Sequence, residues 1–272
     1  MNINDVFAHV DELFESKQTE KVEPYLLECL DKAEKENDLT SVIPICNELG
    51  GYYRAVGSYE SGIPLYRKAL DALDSLDLKG SEHHATTLVN YATTYAVKGE
   101  PREALDLFEQ AAVIFEELGL GQDYRVATLH NNMSILCRDA DDPQKALEHL
   151  DKALSILGTL SDSESEVAIT YTNIAQAHFE LKDYAAAASN AAKAIEIFES
   201  VSGDSDVHYS AALETLGQVS MALGSYENAL GYFGKVMTLT ERDYGMDSLA
   251  YKAVSRSAEE CRRLIEEGGN SR

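Results

Sequence analysis

Five stretches of the chain, beginning at Ile43, Ala85, Ala127, Ala168 and Ser210, superimpose on one another, with starts 42, 42, 41 and 42 residues apart. Self-similarity at such a period restricts a chain to repeat architectures, in which each unit buries its apolar face only against its neighbours. The middles of the five stretches read ELGGYYR, NYATTYA, NMSILCR, NIAQAHF and TLGQVSM, which puts Gly50, Ala92, Ser134, Ala175 and Gly217 at one shared position. Twelve residues further on stand Gly62, Ala104, Ala146, Ala187 and Ala229, and seven beyond those Ala69, Ala111, Ala153, Ala194 and Val236. Helices approach at the short end of the usual ~8–10 Å spacing only where the contact residues are small. Each repeat is therefore expected to be a tightly crossed pair of helices.

Turn residues recur between the paired segments: Gly57-Ser58, Gly99-Glu100-Pro101, Asp142-Pro143, Lys182-Asp183 and Gly224-Ser225. Glycine suits a left-handed helix end, Ser or Asp an N-cap, and proline a first helical turn. The absence of Trp and the presence of only 5 Pro, with Ala, Leu, Glu and Lys throughout, favour helix over strand. Large residues are expected to fill the seam, Tyr53 and Tyr95 from first helices and Tyr66, Phe108, Leu150 and Phe233 from second helices, as core rather than as cofactor contacts.

Small residues at these offsets, with a Tyr three places after the first and an aromatic four after the second, resemble the tetratricopeptide repeat over about residues 43 to 243. The usual unit is about 34 residues. The extra residues here, in DLKGSEHH, GLGQDYRV, SDSESEV and SGDSDVHY, are similar to the longer pitch of kinesin light chains and related scaffolds. The early Trp of many such repeats is absent, and the proline common at the end of the second helix is replaced by Asp74, Glu116, Gly158, Glu199 and Glu241, so second helices are expected to run on a turn.

The resemblance implies an all-α fold, a right-handed superhelical α-solenoid of antiparallel helix pairs. Residues 1–42 are expected to form a degenerate N-terminal capping pair, with Val6, Val10, Leu13, Phe14, Leu26, Leu27 and Leu30 at helical spacing, and 43–247 the five repeats. Residues 248–267 are expected to form a C-terminal capping helix, with Leu249, Ala253, Cys261, Leu264 and Ile265 toward the last repeat and Arg256, Arg262 and Arg263 outward, and 268–272 a disordered tail.

In such a solenoid the first helices line the concave face. Asn90, Asn132 and Asn173 fall at one position in three consecutive repeats, with Glu48 and Thr215 at the equivalent flanking places. Asparagine is a poor mid-helix residue, so three in register call for a reason beyond helix propensity. Each amide has a donor and an acceptor that can satisfy the backbone of an extended peptide, as in the asparagine ladders of peptide-binding tetratricopeptide proteins. Alternatively each bonds a neighbouring helix and fixes the stacking, and the two roles can coexist. The expected peptide-binding groove comprises Asn47, Arg54, Asn90, Thr93, Asn131, Asn132, Arg138, Asn173 and Gln176, with Thr172, Glu214 and Gln218 in the same register. Arg54 and Arg138 occupy equivalent positions and suit either a ligand carboxylate or an internal salt bridge, for instance to Glu48 or Asp139.

With 23 Lys and Arg against 47 Asp and Glu, the formal charge of −24 argues against nucleic-acid backbones and anionic membranes as partners. Cys29, Cys46, Cys137 and Cys261 form no CxxC pair, and no His pattern has metal-ligand spacing, so no metal, cofactor or catalytic residue is expected. His178, at the place of Tyr53 and Tyr95, is expected in the core with a satisfied ring, and DADD at 139–142 as a capping turn rather than a calcium loop. No leader or membrane span is recognisable, and a cytoplasmic protein is expected. The functional expectation is a non-catalytic adaptor for a protein or peptide segment, monomeric or weakly dimeric. Its alternative is a peptide or small-ligand sensor of the bacterial tetratricopeptide receptor type, and an enzyme is the remotest.

Overall fold

The computed structural model describes residues 1–269, which form thirteen α-helices and two single 3-10 turns. They divide into two compact units, Met1–Leu129 and His130–Arg272.

In the first unit a capping pair, α1 (Ile3–Glu15) and α2 (Val22–Lys35), leads into two helix pairs, α3 (Leu39–Ala55) with α4 (Tyr59–Ser75) and α5 (Glu82–Lys98) with α6 (Pro101–Glu117). Val6, Val10, Leu13, Leu26, Leu30, Ile45, Leu49 and Leu73 form the core under the cap, whereas Phe14 and Leu27 are largely exposed. In the second unit α7 (Tyr124–Asp139), which begins before the division, is followed by α8 (Pro143–Leu157), then α9 (Glu164–Glu180) with α10 (Tyr184–Val201), α11 (Val207–Ala222) with α12 (Tyr226–Tyr244), and α13 (Leu249–Gly269). Helices α1 to α6 of the first unit each pack on the next, as do α8 to α13 of the second, and first helices of successive repeats also meet, α3 on α5 and α9 on α11. Within each unit this is the all-α packing of successive helix pairs expected from the repeats.

The first helices begin three or four residues before the repeat starts read from the sequence, so Pro44 lies inside α3 rather than at its edge. Close crossing explains the small positions: Gly50 lies under the ring of Tyr66 and Gly217 under that of Phe233, with Tyr66, Phe108, Leu150 and Phe233 fully buried. Tyr53 and Tyr95 are only half-buried, and Tyr53 Oη donates to Glu23 at 2.6 Å.

The turns close by left-handed residues, glycine at Gly57, Gly99 and Gly224 but Asp141 and Lys182 in the third and fourth repeats. Asp142 and Asp183 cap the following helices through the N–H groups of Lys145 and Ala186, at 3.0 and 3.1 Å. The DADD segment is thus a capping turn.

α13 departs from its expected phase and extent. Val254, Ala258 and Cys261 are buried, while Leu249 is 83 % exposed and Ala253 is exposed, because the helix phase follows the 254/258/261 stripe. Gly268 and Gly269 continue the helix, and the rest of the expected tail, 270–272, lies outside the described residues.

Candidate binding face on the first helices

In the first unit Asn47 on α3 donates from Nδ2 to Thr87 Oγ1 on α5 at 3.0 Å and to the carbonyl of Ile43 at 3.1 Å. Asn90 on α5 donates back to Asn47 Oδ1 at 3.1 Å. The second unit repeats this device: Asn131 Nδ2 donates to Thr170 Oγ1 at 2.9 Å, and Asn173 Nδ2 to Asn131 Oδ1 at 3.0 Å, with Asn131 and Asn173 both buried. A buried amide must find partners, and here two amides and a threonine satisfy one another across adjacent first helices.

The three asparagines that coincide in register are therefore not equivalent. Asn90 and Asn173 spend a donor on stacking, whereas half-buried Asn132 has no side-chain hydrogen bond among the described residues. The distinction was legible in the preceding repeat. An amide stands one register place earlier there for Asn90 (Asn47) and for Asn173 (Asn131), but Val89 stands there for Asn132.

The two equivalent arginines also differ. Arg138 donates from Nε and Nη2 to Glu180 Oε1, at 2.9 and 2.7 Å, and from Nη1 to Gln176 Oε1 at 2.6 Å. The internal carboxylate is Glu180 on the next first helix rather than the neighbouring Asp139. The positions of Gln176 and Glu180 in the second repeat are Thr93 and Val97, which offer no carboxylate. Arg54 accordingly donates only to the main-chain oxygen of Asn90, at 3.4 Å, and Thr93 turns its hydroxyl to the carbonyl of Val89.

Two clefts flank the amides of the first unit. One of about 530 Å³ is lined by Phe14, Glu48, Tyr52, Arg54, Val56 and Asn90. The other, of about 500 Å³, shares Asn47, Glu48 and Asn90 and adds Ile3, Phe7 and Leu78. Burial, then the charge of Asp11, pushes the Glu48 carboxyl above the usual carboxylate range. In the second unit a cleft of about 380 Å³ is lined by Arg138, Gln176, Phe179, Glu180, Glu214, Thr215 and Gln218. A larger hollow of about 740 Å³ lies over α6 and the α4–α5 loop, where the side chains from α6 are mostly solvent-exposed.

Two histidine features escape sequence reasoning. His130 on α7 and His149 on α8 are buried with Nδ1 atoms 3.1 Å apart and rings stacked at 5.3 Å. Burial, reinforced by His149 and Lys152, pushes the His130 imidazole down to about 4. Nothing in their spacing announces this, because the pair meets only through the crossing of α7 and α8. His178, expected to be satisfied, has a buried Nδ1 without a hydrogen bond, with Asp183 Oδ2 at 3.8 Å. Among the described residues no group of three or more His, Cys, Asp or Glu could hold a metal ion, and no helix is long and apolar enough to cross a membrane.

A family model described as tetratricopeptide repeat matches residues 43–117, 83–159, 125–200 and 166–242, in overlapping windows that cover most of the chain. The chain belongs to the tetratricopeptide-repeat family. A curated relative, Protein KINESIN LIGHT CHAIN-RELATED 3 of Arabidopsis thaliana, is 22 % identical over 200 residues, or 72 % of this chain but only 30 % of the relative's length. Among solved structures, BtubC (BKLC) from P. vanneervenii has a TM-score of 0.69 at 21 % identity, covering 85 % of this chain and 92 % of that one. The nearly identical TPR-like repeats of a Podosopora anserina putative kinesin light chain give 0.63 at 15 % identity, covering 74 % and 95 %. The MamA protein gives 0.53 at 18 % identity, covering 77 % and 97 %. These structures share the tetratricopeptide fold. As a tetratricopeptide-repeat chain the protein is, in general character, a protein-interaction scaffold.

Proposed function

We propose that the chain is a non-catalytic adaptor that binds a peptide segment of a partner protein along its first-helix faces. The observation that carries this reading is Arg54. Its half-buried guanidinium borders a 530 Å³ cleft beside Phe14, Tyr52 and Val56, yet it donates only to one long main-chain contact. A guanidinium held without a carboxylate on a preformed surface is disposed to take a ligand carboxylate, side-chain or C-terminal, through a charge-assisted hydrogen bond. Apolar side chains of the same segment fit the flanking aromatic and valine. Thr93 extends the set in the first unit, where Asn47 and Asn90 hold adjacent first helices in register and leave the acceptor atom of Asn90 for a ligand; in the second unit Asn131 and Asn173 act alike, and Asn132 has its amide uncommitted. Four free, buried cysteines suit a reducing compartment such as the cytoplasm.

The test compares proteins retained from lysate by wild type and by Arg54→Ala/Asn132→Ala, a pair that leaves the amide staples intact. Selective loss of a partner from the variant, with an unchanged far-UV spectrum, is the expected result. Identical retained sets would refute the assignment of binding to this face.

A further inference from the structure

The first-helix cleft of the second unit differs in charge from that of the first. Its arginine, Arg138, already spends three N–H groups on Glu180 and Gln176, and Glu180 balances its charge. What remains is Glu214 on α11, half-buried, with neither a hydrogen bond nor an ion pair among the described residues. It occupies the register place held by Asn47 and Asn131, where an amide joins adjacent first helices. In the staples the partner groups come from the following first helix, Thr87 and Asn90 for Asn47, Thr170 and Asn173 for Asn131, whereas Glu214 has no hydrogen bond to α13 among the described residues; Thr215 beside it turns its own hydroxyl to the carbonyl of Ala211. Beside it lie Gln218 and the ring of Phe179.

We propose that this cleft, between α9 and α11, is a subsite for one cationic side chain, Lys or Arg, of the segment that the scaffold binds. The inference rests on the peptide-binding reading above and adds the chemistry of one ligand residue. Withdrawing a carboxylate from water is costly unless a partner is supplied, and a ligand ammonium or guanidinium supplies one. Phe179 offers an aromatic face for the apolar stem and the cation itself, and Gln218 a carbonyl acceptor. The raised affinity of Glu214 for its proton, caused by burial, is the cost that such a ligand would remove.

The experiment selects a random dodecapeptide display library on the immobilised full chain, wild type and Glu214→Gln in parallel. The best peptide is then measured by fluorescence anisotropy with each basic residue in turn replaced by norleucine. Because a chain of net charge −24 attracts any basic peptide, preference alone decides nothing; its loss in the variant does. The expected result is that one basic position loses at least tenfold in affinity with norleucine on wild type and shows no such loss on Glu214→Gln. Gln218→Lys, which places a competing cation in the cleft, should abolish the same preference and guards against a folding defect particular to the first variant. Peptides that bind with Arg54 dependence but show no such position, or keep it in both variants, would overturn the cation subsite and leave the scaffold reading standing. Recovery of no peptide at all would overturn both.

Discussion

The close crossing of α3 and α4 can be tested with two adjacent glycines of one helix. A Cβ on Gly50 would lie 2.7 Å from Tyr66 Cε1 and 2.8 Å from its Oη, and closer still to Cζ, whereas a Cβ on Gly51 would meet nothing within 4 Å. Tyr66 has little room to yield: it is fully buried, accepts from Thr94 Oγ1 at 3.2 Å and stacks on Tyr91 at 5.6 Å. Replacing a helical glycine by alanine gains about 0.8–1.0 kcal/mol from backbone propensity. Overpacking a well-filled core costs about 1–3 kcal/mol. Gly51→Ala should therefore stabilise by up to about 1 kcal/mol, and Gly50→Ala should lie about 1–3 kcal/mol below it, between neutral and clearly destabilised. Urea unfolding followed by far-UV circular dichroism resolves that difference, as does a melting temperature that moves roughly 2–4 °C per kcal/mol. Tyr66→Phe should not rescue Gly50→Ala, since the ring carbons that collide remain, whereas Tyr66→Leu should narrow the gap in a double-mutant cycle. If Gly50→Ala stabilised as much as Gly51→Ala, the steric account of the shared small position would be wrong.

Three further outcomes follow from the same geometry. Asn173→Ala strands the buried Oδ1 of Asn131 and should cost about 1–3 kcal/mol, while Asn132→Ala should change urea stability little; equal effects would deny the staple. His130 has a folded-state value of about 4 against an ordinary value near 6.5, so its neutral form favours the fold. The stability it contributes is complete above about 6.5 and is lost as pH falls toward about 4; His130→Leu should flatten that slope in urea midpoints measured from pH 7 to 4.5. Asp38 caps α3 through the hydroxyl and N–H of Ser41 and the hydroxyl of Thr40, contacts that hold its carboxyl well below the usual range. Its contribution is present above its ordinary value near 4 and lost as the carboxylate protonates in stronger acid, so Asp38→Ala should shrink the stability gap between neutral and acidic pH.

The repeat period and the small residues at Gly50, Gly62 and Ala69 were enough to specify paired helices, because close crossing forbids a Cβ or a large side chain at a few positions whatever surrounds them. The turn chemistry was legible for the same reason, although Asp141 and Lys182 show that a left-handed helix end tolerates residues other than glycine when the rest of the turn is in place. Register alone also gave the polar first-helix residues equivalent places in successive repeats. What it could not assign was the partner of each side chain. Asn90, Asn132 and Asn173 are identical in register, and Arg54 and Arg138 likewise. Whether each is spent or available depends on what a neighbouring repeat presents, Asn47 or Val89 in the preceding one for the asparagines, Glu180 or Val97 in the following one for the arginines. Helix phase at the end of the chain was undetermined too, since Leu249 and Val254 are both apolar and only packing on α12 selects the stripe that is buried. Local sequence governs which backbone conformations are cheap. The fate of a buried amide or charge is settled by atoms some forty residues away, which only the tertiary structure brings within hydrogen-bond reach.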